Sequence, residues 1–215
     1  MTVRLRHKPW IKAAIEELKD DYVYLGDAAK NKGQWHQLLG KETLAVEIGC
    51  GKGNFIVGMA QLHPAQGFVG VETQEEIAYY PAHKAQEQEL KNVKIIAGDA
   101  TDLEEWFEPG EIDMLYLNFS DPWPKARHYK RRLTYRDFLH KYKQLLKPGG
   151  HLRFKTDNRP LFDFSLVEFQ EFGLEIIALS YDLHHSDYDN PVQTEYEAKF
   201  SALGNKINFC EAVFK

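Results

Sequence analysis

The chain has 215 residues, of which 43% are hydrophobic and 13% aromatic, enough for one globular domain with a sizeable core. Its formal net charge of −5 excludes a globally basic nucleic-acid binder, so any surface for a polyanion has to be local. Cys50 and Cys210 stand far apart and make neither a disulfide framework nor a zinc spacing, which suits a reducing cytoplasm.

The N-terminus carries a basic tip, Arg4, Arg6, His7 and Lys8, with no apolar h-region, so no signal peptide is expected. No apolar run approaches the roughly 20 residues needed to span a bilayer, and no membrane partner is expected. Ile11, Ala14, Ile15 and Leu18 recur on one face and predict a surface helix over 10–25. A short helical piece over 35–39 ends at Gly40. These first 40 residues read as a tip and helices packed on a single domain over 41–215.

Residues 44–48 form an apolar strand bearing one acid, Glu47. Gly49-Cys50-Gly51-Lys52-Gly53 follows, then a helix over 55–62. A strand, a glycine turn and a helix N-terminus bring backbone N–H groups close to a ligand. The next strand, 67–72, ends in Glu72, placed to accept from the hydroxyls of a ribose. The P-loop pattern fails because Gly51-Lys52 is followed by Gly53. The G-x-G-x-G spacing also departs from the dinucleotide fingerprint. Glu47 at the strand end would repel a pyrophosphate but suits an ammonium or sulfonium, as in S-adenosylmethionine. A helix is predicted over 74–90, with Pro81 expected to kink it or delay its start. A strand over 93–97 leads to Gly98-Asp99-Ala100, where Asp99 is either an acceptor for an adenine amino group or a turn and cap residue.

A fourth strand over 112–117 runs into Asn118-Phe119-Ser120-Asp121-Pro122-Trp123-Pro124-Lys125. Two prolines make that segment rigid, and the basic run Arg127-His128-Tyr129-Lys130-Arg131-Arg132 follows directly. Thr134 is read as the cap of an amphipathic helix that stops at 147–150. A strand over 151–157 ends in Asp157, a helix follows over 161–172, and further strands span 174–181 and 206–214. Between them, the polar loop 182–197 holds His184, His185, Asp187 and Asp189, whose spacing lacks a metal-binding motif; no metal is expected.

Strand and helix alternate, which predicts an α/β fold: a mostly parallel, seven-stranded sheet with helices on both faces. Ligands in such sheets bind beyond the C-terminal strand ends, where Glu47, Glu72, Asp99, Asp121 and Asp157 all fall. The first half resembles the class I S-adenosylmethionine-dependent methyltransferases, with their Rossmann-like fold. The run from Val46 to Gly53, that from Leu117 to Lys125, the basic run to Leu133, then Phe154-Lys155-Thr156-Asp157-Asn158 and Thr194-Glu195-Tyr196-Glu197 resemble the bacterial tRNA (guanine-N7)-methyltransferases of the TrmB type, in that family's order. The main departure is Tyr79-Tyr80-Pro81, which is read as touching no motif position.

The resemblance implies methyl transfer from S-adenosyl-L-methionine to N7 of guanine 46 in tRNA, leaving S-adenosyl-L-homocysteine. It implies cofactor positions at Glu47, Gly49, Gly51, Glu72, Asp99 and Asp121, with Asp121 also catalytic. Lys125, Asp157, Thr194, Glu195, Tyr196 and Glu197 match substrate positions, and Arg127, His128, Tyr129, Lys130, Arg131 and Arg132 match the RNA-contacting segment. A cytoplasmic monomer or homodimer acting on tRNA is the expectation.

Overall fold

A computed structural model describes residues 8–214; Arg4, Arg6 and His7 of the basic tip lie outside them. The strands are β1 (Val23–Leu25), β2 (Leu44–Ile48), β3 (Gly67–Glu72), β4 (Val93–Ala97), β5 (Ile112–Asn118), β6 (Leu146–Thr156), β7 (Leu174–Ser180) and β8 (Asn208–Phe214). The helices are α1 (Pro9–Glu16), α2 (Trp35–Leu39), α3 (Asn54–Leu62), α4 (Glu75–Glu87), α5 (Leu103–Trp106), α6 (Arg136–Leu145), α7 (Arg159–Phe172) and α8 (Glu195–Ser201). Among the described residues no helix is long and apolar enough to cross a membrane.

The strands form one sheet in the order β1-β4-β3-β2-β5-β6-β8-β7. The pairings from β1 to β6 are parallel, while β8 runs antiparallel between β6 and β7. After β2 the chain moves outward through β3 and β4, then returns to place β5 on the other side of β2. The crevice between the ends of β2 and β5 is therefore the topological switch point, where open α/β sheets bind ligands.

Alternation along the strands sorts side chains onto two faces. Leu44, Val46 and Ile48 pack with Leu115 and Leu117 against α2, α5, α6 and α7. Ala45, Phe68, Ile95 and Tyr116 face α1, α3 and α4. Glu47 and Asn118 share the second face by the same period of two, so both polar side chains arrive at the switch point from adjacent parallel strands.

Among the described residues the sheet has eight strands, not seven. The expected helix over 10–25 ends at Glu16; Asp20 turns the chain with φ +63°, and Val23–Leu25 pairs with β4 as an edge strand. The helical period from Ile11 to Leu18 is real, but the β-prone Tyr22-Val23-Tyr24 finds an open sheet edge. α4 begins at Glu75 without delay and carries Pro81 in its interior. Thr134 does not cap α6. Its hydroxyl is buried and accepts from Ser165 Oγ at 2.7 Å, while the Arg136 N–H at the helix start donates to Glu168 of α7 at 3.0 Å. A carboxylate from a neighbouring helix thus replaces the local cap, with the charge sign that a helix N-terminus favours. α8 begins inside the loop read over 182–197 and runs on to Ser201.

Candidate active site

The glycine turn after β2 is shaped by backbone demands. Gly49, Gly51 and Gly53 have φ of +77°, +55° and +81°, the left-handed region that glycine enters without penalty. Side chains built at Gly49 and Gly51 would meet nothing, so the space above them is open. A Cβ at Gly53 would overlap the Pro81 ring. Tyr79-Tyr80-Pro81, read as touching no motif position, does meet one: α4 packs its proline on the glycine turn, and the Lys52 ammonium lies 5.7 Å over the Tyr80 ring.

Glu72 closes the turn from β3. Its carboxylate accepts from the Gly51 N–H at 3.0 Å and the Gln74 N–H at 2.9 Å. Burial raises its pKa; the N–H groups of Gln74, Gly51 and Thr73 oppose that, and Asp121 adds to it. Asp99 caps a short turn, accepting from the Thr101 N–H and hydroxyl, both at 2.9 Å.

Glu47 is 1% exposed. One carboxylate oxygen accepts from Asn118 Nδ2 at 2.8 Å. Among the described residues the other has no partner, nor have two further buried polar atoms, Asn118 Oδ1 at the end of β5 and Ser120 Oγ just after it. Burial pushes the Glu47 carboxyl up to about 8, against the pull of Asn118 and Lys155. An unmet buried acceptor costs about 1–3 kcal/mol, more when charged. Unmet acceptors on Glu47 and Asn118 are chemically suited to a donor-rich cation such as an ammonium.

Beside the switch-point crevice a cleft of about 720 Å³ runs along the strand ends. Gly49, Glu72 and Asp99 line it, then Asp121 and Trp123, then Lys130 and Arg131. Neither Glu47 nor Asn118 is among its walls, but their chain neighbours Ile48, Gly49, Phe119 and Ser120 are. The Asp121 segment leaves β5 under strain: Phe119 and Trp123 have φ of +54° and +41°, each costing roughly 1–3 kcal/mol for such a residue. Trp123 neither anchors the loop in the core nor stands free; its half-exposed ring meets His128 edge-on at 5.8 Å and lies under the Arg131 guanidinium at 5.0 Å. Lys125, Arg127, Tyr129, Lys130 and Arg131 are exposed, on or beside the short turn Ala126–Arg131, and His128 is half-buried there.

Thr194, Glu195, Tyr196 and Glu197 come to the same edge of the sheet, but with different tasks. Thr194 caps α8 by accepting the Glu197 N–H at 2.9 Å. Glu195 pairs at 3.0 Å with Lys84, which also donates to the Lys52 carbonyl at 2.7 Å and so ties α8 to the glycine turn. The Tyr196 ring packs 5.1 Å from Phe119 and its hydroxyl reaches Asp157 at 3.4 Å. Asn205 reaches the same Asp157 oxygen at 3.4 Å.

Glu197 is fully buried. It accepts from Lys155 Nζ at 2.8 Å, His184 Nε2 at 2.8 Å and Asn190 Nδ2 at 2.7 Å. Burial alone would raise its pKa, but Lys155 with His184 and Asn190 outweighs that and holds it low. Sequence reasoning missed Lys155 as the partner of this hub. Its one local signal is a lysine near the end of a strand, between Phe154 and Thr156. His184 and His185, weighed as metal ligands, pair with Glu197 and Asp182.

A family model described as a putative methyltransferase matches residues 41–210. The tRNA (guanine-N(7)-)-methyltransferase of Halalkalibacterium halodurans is 45% identical over 214 residues, covering 99% of this chain and 96% of the relative. That of Bacillus subtilis is 44% identical over 214 residues, covering 99% of this chain and 100% of the relative. Among solved structures, an antibiotic-related methyltransferase superposes with a TM-score of 0.63 at 20% identity over 85% of this chain and 92% of that one. A SAM-dependent methyltransferase from Aquifex aeolicus does so with a TM-score of 0.56 at 12% identity over 98% of this chain and 100% of that one, a likeness of fold alone. With its strand-end acids, glycine turn and basic segment placed around one cleft, and with relatives matching it from end to end, the chain belongs to the tRNA (guanine-N7)-methyltransferase family.

Proposed function

We propose that this chain transfers the methyl group of S-adenosyl-L-methionine to N7 of guanine 46 in the variable loop of tRNA, releasing S-adenosyl-L-homocysteine. The observation that carries the reading is the single cleft that joins the strand-end acids Glu72, Asp99 and Asp121 to the cations Lys130 and Arg131. The residues present fit the donor. The unpartnered oxygens of Glu47 and Asn118 suit its ammonium, and the Glu72 and Asp99 carboxylates suit its ribose hydroxyls and adenine amino group. When bound, the donor supplies an electrophilic methyl carried on a sulfonium.

Guanine N7 has an in-plane lone pair and no proton, so no base is needed to create the nucleophile. The protein's work is to orient the purine in line with the methyl group and to stabilise the positive charge that grows on it. Asp121, exposed on the cleft wall, is the group assigned to that charge. Asp157 is assigned to guanine N1–H and N2–H, a donor pair that adenine does not present, with Tyr196 beside it. Lys125, Arg127, Lys130 and Arg131 are assigned to tRNA phosphates.

The test is incubation with methyl-labelled donor and unmodified tRNA, followed by cleavage at N7-methylguanosine. Label is expected at one nucleotide and should vanish from tRNA carrying adenine at position 46. Label on an exocyclic amine, or at another guanine, would overturn the reading. Asp121→Asn should lower the single-turnover rate by about 10²–10³-fold; full turnover in that variant would remove the electrostatic role.

A further inference from the structure

Arg132 belongs by sequence to the same basic run as Arg127, Lys130 and Arg131. The fold separates it from them, because they are exposed and Arg132 is half-buried. Its Nε–H donates to the Pro122 carbonyl at 3.0 Å and its Nη2 to the Trp123 carbonyl at 3.3 Å. The guanidinium plane lies 4.3 Å over the ring of Phe164, from α7. Both carbonyls belong to the residues directly after Asp121.

That segment needs an external brace. Pro122 and Pro124 contribute no backbone N–H, so the segment cannot close through its own hydrogen bonds at those positions. Trp123 sits at φ +41° immediately before a proline, where the chain prefers extended backbone. Its carbonyl and that of Pro122 are two polar handles on the segment, and a planar guanidinium fork can take two acceptors at once while stacking on a ring.

We propose that Arg132 is a positioning residue for methyl transfer: it clamps the Pro122 and Trp123 carbonyls against α7, so that the strained loop presents Asp121 to the cleft, instead of binding an RNA phosphate. The inference rests on the role assigned above to Asp121.

Arg132→Lys, Arg132→Ala, Phe164→Leu and Lys130→Ala are compared with wild type in single-turnover rate at saturating tRNA, in tRNA affinity as a function of salt, and in thermal melting. Lysine keeps the charge but not the fork. Both Arg132 variants should therefore lose on the order of 10²-fold in rate, with the wild-type slope of log affinity against log salt. Lys130→Ala should instead lower that slope by about one. Adding Asp121→Asn to Arg132→Ala should cost much less than the product of the two single losses, because one acts through the other.

An Arg132→Lys enzyme with wild-type rate, or an Arg132→Ala enzyme whose salt slope falls by about one, would make Arg132 an RNA contact and overturn the proposal. Should the Arg132 variants melt out, Phe164→Leu decides: it leaves every cation in place, and a folded variant is expected to lose several-fold in rate, while an unchanged rate overturns the clamp. Failure of wild type to methylate N7 would sink the functional reading instead, and the same assay shows it before any variant is compared.

Discussion

Glu47 and Glu197 are the same residue type, both buried at the C-terminal edge of one sheet, and they are opposites in what surrounds them. Glu197 is met by Lys155, His184 and Asn190 and is held ionised. Among the described residues Glu47 has one hydrogen-bond donor, Asn118, and keeps its other oxygen without a partner. A buried carboxylate with its donors in place has nothing left to offer a ligand; it holds α8 and the loop before it onto β6. One that lacks a donor stores an unmet interaction that a cationic ligand can release. Burial does not separate the two roles, but hydrogen-bond satisfaction does.

The largest expected effect that sharpens this contrast is in stability. Glu197→Gln leaves Lys155 buried without its counter-ion and should cost about 3–5 kcal/mol in denaturant unfolding; a loss within experimental error would make the hub dispensable. Glu47→Gln should do the reverse. It replaces a carboxyl that burial keeps largely protonated with a neutral amide of the same shape, so unfolding stability should hold or rise, while affinity for S-adenosyl-L-methionine by calorimetry should fall by about 10²-fold, or ~2.7 kcal/mol. Equal destabilisation by the two substitutions would erase the distinction.

A smaller effect lies in pH. Because burial lifts the folded Glu47 pKa to about 8, the folded chain binds that proton more tightly than the unfolded chain does. Its contribution is fully present at low pH and is lost as pH rises from the ordinary glutamate range to about 8, with a slope of at most about 1.4 kcal/mol per pH unit. Glu197, with its pKa lowered, has the opposite sign: its stabilisation is lost as pH falls through the carboxylate range. Near neutral pH, binding of the donor should release close to one proton, seen as heat that varies with the ionisation enthalpy of the buffer. Heat independent of buffer would mean that Glu47 is already ionised in the free protein.

The donor end of the site was legible because its parts are local. Gly49, Gly51 and Gly53 stand in one turn, Glu47 one residue before it, and Glu72 at the end of the next strand; their places follow from the strand period and the turn chemistry. The Glu197 hub was not legible, because Lys155 and His184 lie 42 and 13 residues away from it in sequence. Pro81 against Gly53 is hidden for the same reason, as is the Glu168 cap on α6. β1 was missed because three residues carry no usable alternation and owe their conformation to β4. The basic run was read as six equivalent groups, since adjacency in sequence cannot show that Arg132 turns inward to Pro122 and Trp123 while Lys130 and Arg131 line the cleft.

By itself the sequence determined the order of β2 to β8 and of the main helices between β2 and β7, the glycine turn and the line of acids at the strand ends. These depend on backbone periodicity and on conformational limits that act within a few residues. Only the tertiary structure decided which of those charges are satisfied and which wait for a ligand. Hydrogen bonding and desolvation depend on what lies within a few ångströms in space, and at this site those neighbours come from α4, α7, α8 and the loop before it.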